Sequence, residues 1–271
     1  MDKIQNHLHS NIHQEETEKE LLKMKQQVMN DPDTKDIDVS NIHNLSKAFQ
    51  FLQLRDVEKD GYYPVLIKDP YLEIIYVPTL EKSQQIKRNK SVKCFGEDSR
   101  DIKASLKDFR TNTAKRKKAY KIASDIVSGK ISHGLYIKSS MFQIGKTYLA
   151  NAITNALVDK GYQGSFLFTP SFARQAKEFD SLENRIRMLN ESQLLVIDDI
   201  GAEYDSKWFR TEVLMPVLQY RLANNQLTIF TSNYSIEKLR DLYKKSGSEI
   251  DTNRLITRIL ELTEEVEIDD A

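Results

Sequence analysis

The sequence predicts an α/β protein with a parallel sheet, preceded by a small α+β domain of helices and a β-hairpin. Beyond residue 115, helical patterns alternate with short apolar segments, which is typical of a parallel sheet covered by helices. Before residue 95, two helical patterns are followed by two adjacent β-rich segments. At 271 residues the chain is long enough for two domains. We therefore expect domains at 1–95 and 119–271, joined by a basic linker at 96–118.

The composition restricts the class of protein without indicating a partner. Lys and Arg together number 40, as do Asp and Glu, so the net charge of zero predicts no partner. No apolar run approaches the ~18 residues that span a membrane, and the N-terminus lacks the apolar core of a signal peptide. Cys94 is the single cysteine, which excludes an internal disulfide framework. We therefore expect a cytoplasmic protein with no membrane segment.

The N-terminal region is predicted to contain two helices and a hairpin. A Glu- and Lys-rich helical pattern within residues 1–30 ends at Asp31-Pro32, because proline disfavours a helical conformation in the residue before it. A second helical pattern begins at Ile42. Two β-rich segments within residues 61–78 flank Asp69-Pro70, which is typical of a hairpin turn.

The basic linker ends in the run Lys115-Arg116-Lys117-Lys118. Such a run usually forms a solvated helix face, and that interpretation stays open. The alternative is contact with nucleic-acid phosphates, which would make binding depend strongly on the salt concentration.

A strand, a loop and a helix are predicted to meet within residues 134–147. Leu135–Ile137 is short, apolar and β-prone, and a helical pattern begins near Lys146. Gly145-Lys146-Thr147 at such a junction is typical of a phosphate-binding loop, whose backbone N–H groups face the phosphates. Lys146 would reach the β- and γ-phosphates of a nucleotide, and the Thr147 hydroxyl would bind Mg²⁺. A chance Gly-Lys-Thr at a helix start is the alternative.

A second predicted strand, Leu194–Ile197, ends in two acids. A nucleotide site of this kind needs one acid to hold Mg²⁺ through water and a second acid to orient the attacking water. Asp198 suits the first role and Asp199 the second, although a strand that ends in a solvated acidic turn is common. Asn233 follows the predicted strand 228–230, where its side chain could lie beside the γ-phosphate or belong to a helix N-cap.

The remaining elements of the C-terminal domain follow from periodicity. We predict one further strand at 165–168 and helices at 119–127, 148–160, 172–190, 208–223, 236–244 and 253–262.

Three motifs are specific enough to compare with known families. They are Leu-Leu-Val-Ile-Asp-Asp-Ile-Gly-Ala-Glu at 194–203, Phe-Thr-Ser-Asn at 230–233 and Asn-Arg-Leu-Ile-Thr-Arg at 253–258. With these motifs the chain resembles the AAA+ bacterial replicative-helicase loaders of the DnaC/DnaI group. The resemblance covers most of residues 100–262, and residues 61–78 look like the helicase-interaction domain of those loaders.

The resemblance implies a P-loop ATPase domain that binds ATP with Mg²⁺ and contacts single-stranded DNA. It also implies that the N-terminal domain binds the replicative helicase and that the protein self-assembles. Arg258, or Arg254 as the alternative, would be an arginine finger that reaches a neighbouring subunit. The other catalytic residues would be Asp199 and Asn233, and the Mg²⁺ site would be formed by Thr147 and Asp198. The ATP-binding residues would be Ser140, Gln143, Gly145, Lys146, Thr147 and Tyr148.

Three departures from the family pattern bear on turnover and metal content. The family has glycine where this chain has Ser140 and Gln143. The family carries a second sensor arginine near its end, whereas this chain has no basic residue after Arg258. The N-terminal zinc site of the family uses cysteines and histidine, so with Cys94 alone we expect no zinc. We therefore expect a divergent loader that binds ATP and hydrolyses it slowly.

Two other classes of protein stay open. One is an adaptor that does not hydrolyse ATP and acts as a scaffold for a helicase or an initiator. The other is a transposase-accessory ATPase of the IstB type, which shares the C-terminal domain. The helices and hairpin of the N-terminal region favour a loader over the latter.

Overall fold

The computed structural model describes residues 17–97, 99–176, 182–203 and 207–270. It divides into two compact units, Met1–Ser83 and Gln84–Ala271. The division thus lies closer to the N-terminus than the expected boundary at residue 95. The difference arises because Val92–Phe95 is a strand that pairs with the sheet of the second unit.

The described residues of the first unit form two helices, a two-stranded antiparallel hairpin and the start of a third helix. Helix α1 covers the described residues 17–30, and the part of this predicted helical pattern in residues 1–16 lies outside the described residues. The other elements are α2 (Ile42–Leu54), β1 (Tyr62–Ile67) and β2 (Glu73–Pro78). Asn41 caps α2 by accepting hydrogen bonds from the backbone N–H groups of His43 and Asn44. Val28, Leu45 and Ala48 form the buried core of this unit.

The second unit is built on a six-stranded parallel sheet. Its strands are β3 (Val92–Phe95), β4 (Gly134–Lys138), β5 (Gly164–Phe168), β6 (Leu194–Asp198), β7 (Leu227–Ser232) and β8 (Thr263–Glu267). The spatial order is β3-β5-β6-β7-β4-β8, and all five neighbouring pairs are parallel. The predicted fold class, an α/β domain with a parallel sheet after a small α+β domain, is confirmed.

Helices connect the strands and cover the sheet. They are α3 (Leu80–Ser91), which begins before the division, α4 (Ala114–Ser128), α5 (Lys146–Asp159), α6 (Thr169–Gln175), α7 (Leu182–Glu191), α8 (Met215–Ala223), α9 (Ile236–Lys245) and α10 (Glu249–Leu262). Thr113, Ser235 and Ser248 cap α4, α9 and α10, since each side chain accepts a hydrogen bond from the backbone N–H three residues later. A 3₁₀ turn, Leu106–Asp108, lies in the expected linker.

The sheet is buried on both faces, which explains the continuous apolar runs of its strands. Leu135 and Ile137 of β4 belong to the core beneath α4 and α5, whereas Tyr136 belongs to the core on the opposite face. In the same way Val196 and Ile197 of β6 enter opposite cores. The protein is therefore a three-layer α/β/α structure in this unit.

The boundaries of several elements differ from prediction for physical reasons. Strand β8 was not predicted, because three of its five residues are glutamates, a composition typical of a polar tail and not of a strand in a sheet. The predicted helix 172–190 includes parts of α6 and α7, and residues 177–181 lie outside the described residues. The predicted helix 208–223 begins as a π-helix, Phe209–Leu214, and Pro216 lies in the first turn of α8, where proline is tolerated. Among the described residues, no helix is both long and apolar enough to span a membrane.

Candidate functional site

Most of the predicted site residues come together at one edge of the sheet, whereas the two candidate arginine fingers do not. Strands β6, β7 and β4 are neighbours, so the segments that follow them meet at their carboxyl ends. The result is a cleft of about 720 Å³. It is lined by Phe142, Gln143, Ile144, Gly145, Lys146, Thr147, Tyr148, Asp199, Ala202 and Asn233.

The loop between β4 and α5 has a left-handed backbone at two residues, of which one is not a glycine. Gly145 has φ of 98° and Gln143 has φ of 54°. A non-glycine residue in this region costs about 1 kcal/mol, so the loop carries a modest strain at Gln143. Ser140 is not among the described residues with positive φ, so serine carries no such cost there. Serine at 140 and glutamine at 143 are therefore compatible with the loop conformation.

Thr147 and Asp198 are in direct contact. The Thr147 hydroxyl donates to Asp198 Oδ1 at 2.9 Å, and the Thr231 hydroxyl donates to the same oxygen at 2.6 Å. Burial raises the pKa of the Asp198 carboxyl, and the hydroxyl donors partly offset this by stabilising its ionised form. A hydroxyl oxygen beside a carboxylate is a donor set that suits Mg²⁺.

Lys146 is a buried cation at the start of α5. Its side chain is 7% exposed, and its Nζ donates to the Met141 carbonyl oxygen at 3.1 Å. Burial lowers the pKa of the Lys146 amine, whereas the nearby charges of Asp199 and Asp198 raise it. No carboxylate of the described residues lies close enough to form an ion pair with Lys146. An anion that enters the cleft would therefore meet a cation that is not held in an ion pair.

Asp199 and Asn233 complete the polar lining of the cleft. Asp199 has φ of 57°, and its backbone N–H donates to the Thr231 hydroxyl at 2.9 Å. Burial raises the pKa of the Asp199 carboxyl, and Lys146 lowers it. The buried Oδ1 atom of Asn233 has no hydrogen-bond partner within the described part of the chain. A buried polar atom left unsatisfied beside a cleft indicates a place for a ligand or water.

A second cavity of about 350 Å³ adjoins the same loop, and sequence reasoning missed it. It is lined by Asp108, Phe109, Arg110, Arg116, Gln143, Ile144, Gly145, Tyr148 and Asp270. Arg116 is 4% exposed and donates to the Ile144 carbonyl oxygen at 2.6 Å and to Asp270 Oδ1 at 2.8 Å. Arg116 and Asp270 lie 154 positions apart, so no local pattern could have joined them.

The basic run of α4 is mostly neutralised within the chain. Lys115 pairs with Glu267 and Asp269 at 3.2 and 3.0 Å, and Lys118 pairs with Glu264 at 3.1 Å. Lys117 is exposed, and no ion pair joins it to the described residues. The structure thus favours a structural role for this run over contact with nucleic-acid phosphates.

The two candidate arginine fingers lie on α10, and neither lines the cleft of its own chain. Arg258 donates to Gln219 Oε1 at 2.6 Å and pairs with Glu261 at 2.9 Å. Arg254, one turn earlier, is exposed and forms no ion pair with the described residues. Either side chain would have to act on a neighbouring molecule.

Comparison with known proteins identifies proteins that are similar to this chain in sequence and in structure. No protein-family model matches the chain. The replicative helicase loader DnaI of Bacillus subtilis (strain 168) is 30% identical over 226 residues, which is 78% of this chain and 72% of that protein. A crystal structure of DnaI matches with a TM-score of 0.61 and 28% identity, covering 68% of this chain and 98% of that one. A crystal structure of the DnaC helicase loader matches with a TM-score of 0.52 and 26% identity, covering 61% and 97%.

Proposed function

Because the chain belongs to the DnaI family of replicative helicase loaders, we propose that it loads a replicative DNA helicase onto single-stranded DNA when replication begins. The observation that carries this proposal is the convergence of Lys146, Thr147 and Asp198 in a chain that matches 72% of a loader. The same family membership supports a location in the cytoplasm.

The nucleotide we propose is ATP with Mg²⁺, and the residues present fit it. Lys146 would bind the β- and γ-phosphates, while Thr147 and Asp198 would hold the metal ion, which neutralises charge on the phosphates. Asp199 would orient the attacking water, and the unsatisfied Asn233 Oδ1 would accept a hydrogen bond from it. The backbone of Ser140, Gln143, Gly145 and Tyr148 would follow the phosphates along the loop.

Hydrolysis by the isolated chain should be slow, because none of the described residues that line the cleft is an arginine. We propose that self-assembly brings Arg258 or Arg254 of one copy to the cleft of the next. Arg254 has no ion pair to break among the described residues, whereas Arg258 would have to leave Gln219 and Glu261.

The partner of the first unit is proposed to be the helicase. The hairpin contacts α2, and its residue Pro64 is buried. Tyr63, Val65 and Val77 share the face of the strands opposite to Pro64 and are exposed. Tyr63 and Val77 are directly paired across the strands, so the exposed apolar side chains are contiguous. Exposed apolar patches of this kind support protein docking.

A test of this docking surface uses the full-length chain. Tyr63→Ser and Val65→Ser together should weaken capture of the helicase by at least about tenfold, since central apolar side chains carry much of an interface energy. Tyr162→Ser, at an exposed tyrosine of the second unit, is the matched control and should bind as the wild type does. Unchanged capture by the double variant would contradict the assignment.

Single-stranded DNA is the proposed second partner, through the second unit. Since Lys115 and Lys118 are already paired with acids, the contact is expected to use other basic side chains. Binding should weaken as salt rises, because phosphate contacts release counterions.

The loading assay tests the function as a whole. The cognate helicase is mixed with single-stranded DNA covered by single-strand-binding protein, and the helicase that becomes bound to the DNA is measured. The chain with ATP should increase that amount, and Lys146→Ala should not. A wild-type chain that forms no complex with the helicase and increases no loading would overturn the proposal.

An adaptor that binds ATP without hydrolysing it is the second candidate. No arginine is among the described residues that line the cleft, which favours this candidate. Bound ATP that stays intact in the assembled complex with helicase and DNA would support the adaptor over the ATPase.

A further inference from the structure

Three hydroxyl groups from three different segments hold the buried carboxylate of Asp198. Thr147 and Thr231 both donate to Oδ1, at 2.9 and 2.6 Å. Ser99 donates to the other oxygen, Oδ2, at 3.1 Å. A carboxylate held only through one oxygen can still swing about that contact. A donor on the second oxygen therefore fixes the plane of the carboxylate.

The segment that carries Ser99 is attached to the helix that begins with Lys146 and Thr147. Asn151 Nδ2 donates to the Ser99 carbonyl oxygen at 3.0 Å and to the Thr147 carbonyl oxygen at 3.1 Å. The Arg100 guanidinium donates to Asn151 Oδ1 at 2.7 Å and to Asn155 Oδ1 at 2.8 Å. Ser99 is thereby held against the same helix that supplies the phosphate-binding residues.

Two buried asparagines of α5 hold the segment 99–104 against the helix. Asparagine is a poor helix former, yet Asn151 and Asn155 are each only 1% exposed in the middle of α5. Asn155 Nδ2 donates to the carbonyl oxygens of Asp101 and Ala104 at 2.9 and 2.8 Å. The buried amides therefore satisfy the backbone of the segment 99–104, which has no regular secondary structure of its own.

We propose that Ser99 is a positioning residue for Asp198, and that its hydroxyl holds the carboxylate in the orientation that receives Mg²⁺ with the nucleotide. This inference rests on the proposed binding of ATP with Mg²⁺ at the same cleft. Ser99 belongs to neither nucleotide motif, and it lies 99 positions before Asp198. Groups that orient a metal-binding carboxylate without touching the metal commonly change metal affinity by about 10–100-fold when removed.

The test measures how much Mg²⁺ the full-length chain requires to bind a fluorescent ATP analogue. Ser99→Ala should raise the Mg²⁺ concentration at half-saturation by about tenfold. Its affinity for the analogue in EDTA should equal that of the wild type, since the phosphate-binding loop is unchanged. Ser99→Thr keeps a hydroxyl and should restore most of the wild-type Mg²⁺ requirement.

Ser105→Ala is the matched control. Ser105 lies just beyond the same segment, and its hydroxyl accepts from the Lys107 backbone N–H. Only backbone atoms of Ser105 contact Tyr148 of the cleft, so the substitution keeps those contacts. This variant should behave as the wild type does.

The outcomes separate this inference from the proposed function. A wild-type Mg²⁺ requirement in Ser99→Ala would overturn the role of Ser99 while leaving nucleotide binding intact. Equal weakening with Mg²⁺ and with EDTA, or a Ser99→Thr variant as impaired as Ser99→Ala, would also overturn it. A wild-type chain that binds no analogue at any Mg²⁺ concentration would instead overturn the proposed function.

Discussion

The cleft beside Lys146 and the basic run of α4 both contain charged side chains, but the partners of those side chains differ. In the cleft, Lys146 is buried with a carbonyl oxygen as its hydrogen-bond partner and no ion pair among the described residues. In the run, Lys115 and Lys118 are exposed and paired with acids that follow α10 in the sequence. A buried cation outside any ion pair and beside a cleft indicates a ligand site, whereas exposed paired charges indicate a structural contact.

The largest expected effect concerns the arginine that a neighbouring copy of the chain would bring to the cleft. Arg258→Ala should lower the ATPase rate of the chain assembled with helicase and DNA by about 10³-fold, because an arginine finger stabilises the transferring phosphoryl group. Binding of ATP should be almost unchanged.

Arg254→Ala, one turn earlier on the same helix, is the matched comparison. If Arg254→Ala shows the loss instead, Arg254 is the finger. If neither variant slows the assembled ATPase, or if the isolated monomer already hydrolyses ATP at the full rate, the trans-acting mechanism is wrong.

The next largest effect is expected within the basic run, where the buried Arg116 and the exposed Lys117 should differ in their contribution to stability. Arg116→Ala should lower the free energy of unfolding by about 2 kcal/mol, because it removes a buried side chain and leaves the Ile144 carbonyl oxygen without its buried donor. Lys117→Ala, at the adjacent exposed position, should change it by less than about 0.5 kcal/mol. Urea denaturation monitored by circular dichroism gives both values. Equal values for the two variants would contradict the distinction between buried and solvated members of the run.

A smaller effect is expected from Asp198→Asn in the chain without ligand. Burial raises the pKa of Asp198, so the folded state binds this proton more tightly than the unfolded state does. The stability that this proton contributes is present at low pH and is lost as the pH rises through the raised pKa. Asparagine does not titrate, so the variant should be more stable than the wild type at pH 7, by about 1 kcal/mol.

The same reasoning gives the pH dependence that checks it. The advantage of Asp198→Asn should shrink as the pH falls towards the ordinary pKa of an aspartate, about 4. Thermal unfolding at several pH values measures the difference between the two chains. A variant that is less stable than the wild type at pH 7 would contradict the account of Asp198 as a buried charge that lowers the stability of the fold.

The smallest effect is expected at the paired lysines. Replacing both Lys115 and Lys118 by Gln should change the affinity for single-stranded DNA by less than about twofold, with the same dependence on salt. Lys117→Gln is the comparison, since Lys117 is exposed and unpaired with the described residues. A loss of more than about tenfold in the double variant would restore the phosphate-contact interpretation of the run.

What could be predicted from the sequence depended on how local the signal was. The loop at Gly145–Thr147 and the acids Asp198 and Asp199 at the end of β6 are contiguous motifs on strand ends. The structure brings them together as predicted, since Thr147 contacts Asp198 and Asp199 lines the same cleft. The strand β3 has only four residues, follows a polar helix and is identified only by its pairing with β5. Strand β8 could not be predicted because its sequence contains three glutamates, Glu264, Glu265 and Glu267. The lysines that pair with these glutamates come from α4 and β4, which are distant in the sequence.

The contacts of Arg116 and Ser99 could not have been predicted at all. Each joins residues about a hundred or more positions apart, at 154 positions for Arg116 with Asp270 and 99 for Ser99 with Asp198. Such pairs depend on the order of the strands and not on any local period. The side chains that the sequence analysis missed are therefore those that support the site from segments outside its motifs.

The most direct test of the central claim is a titration of the purified full-length chain with ATP, with and without Mg²⁺. The wild type should bind ATP, and Mg²⁺ should tighten the binding. Lys146→Ala should weaken it by about 100-fold, or about 3 kcal/mol, because a buried charged partner of the phosphates is lost. Lys117→Ala, an exposed lysine outside the cleft, should leave the affinity unchanged. Equal affinities for the wild type and Lys146→Ala would contradict the assignment of this cleft as the nucleotide site.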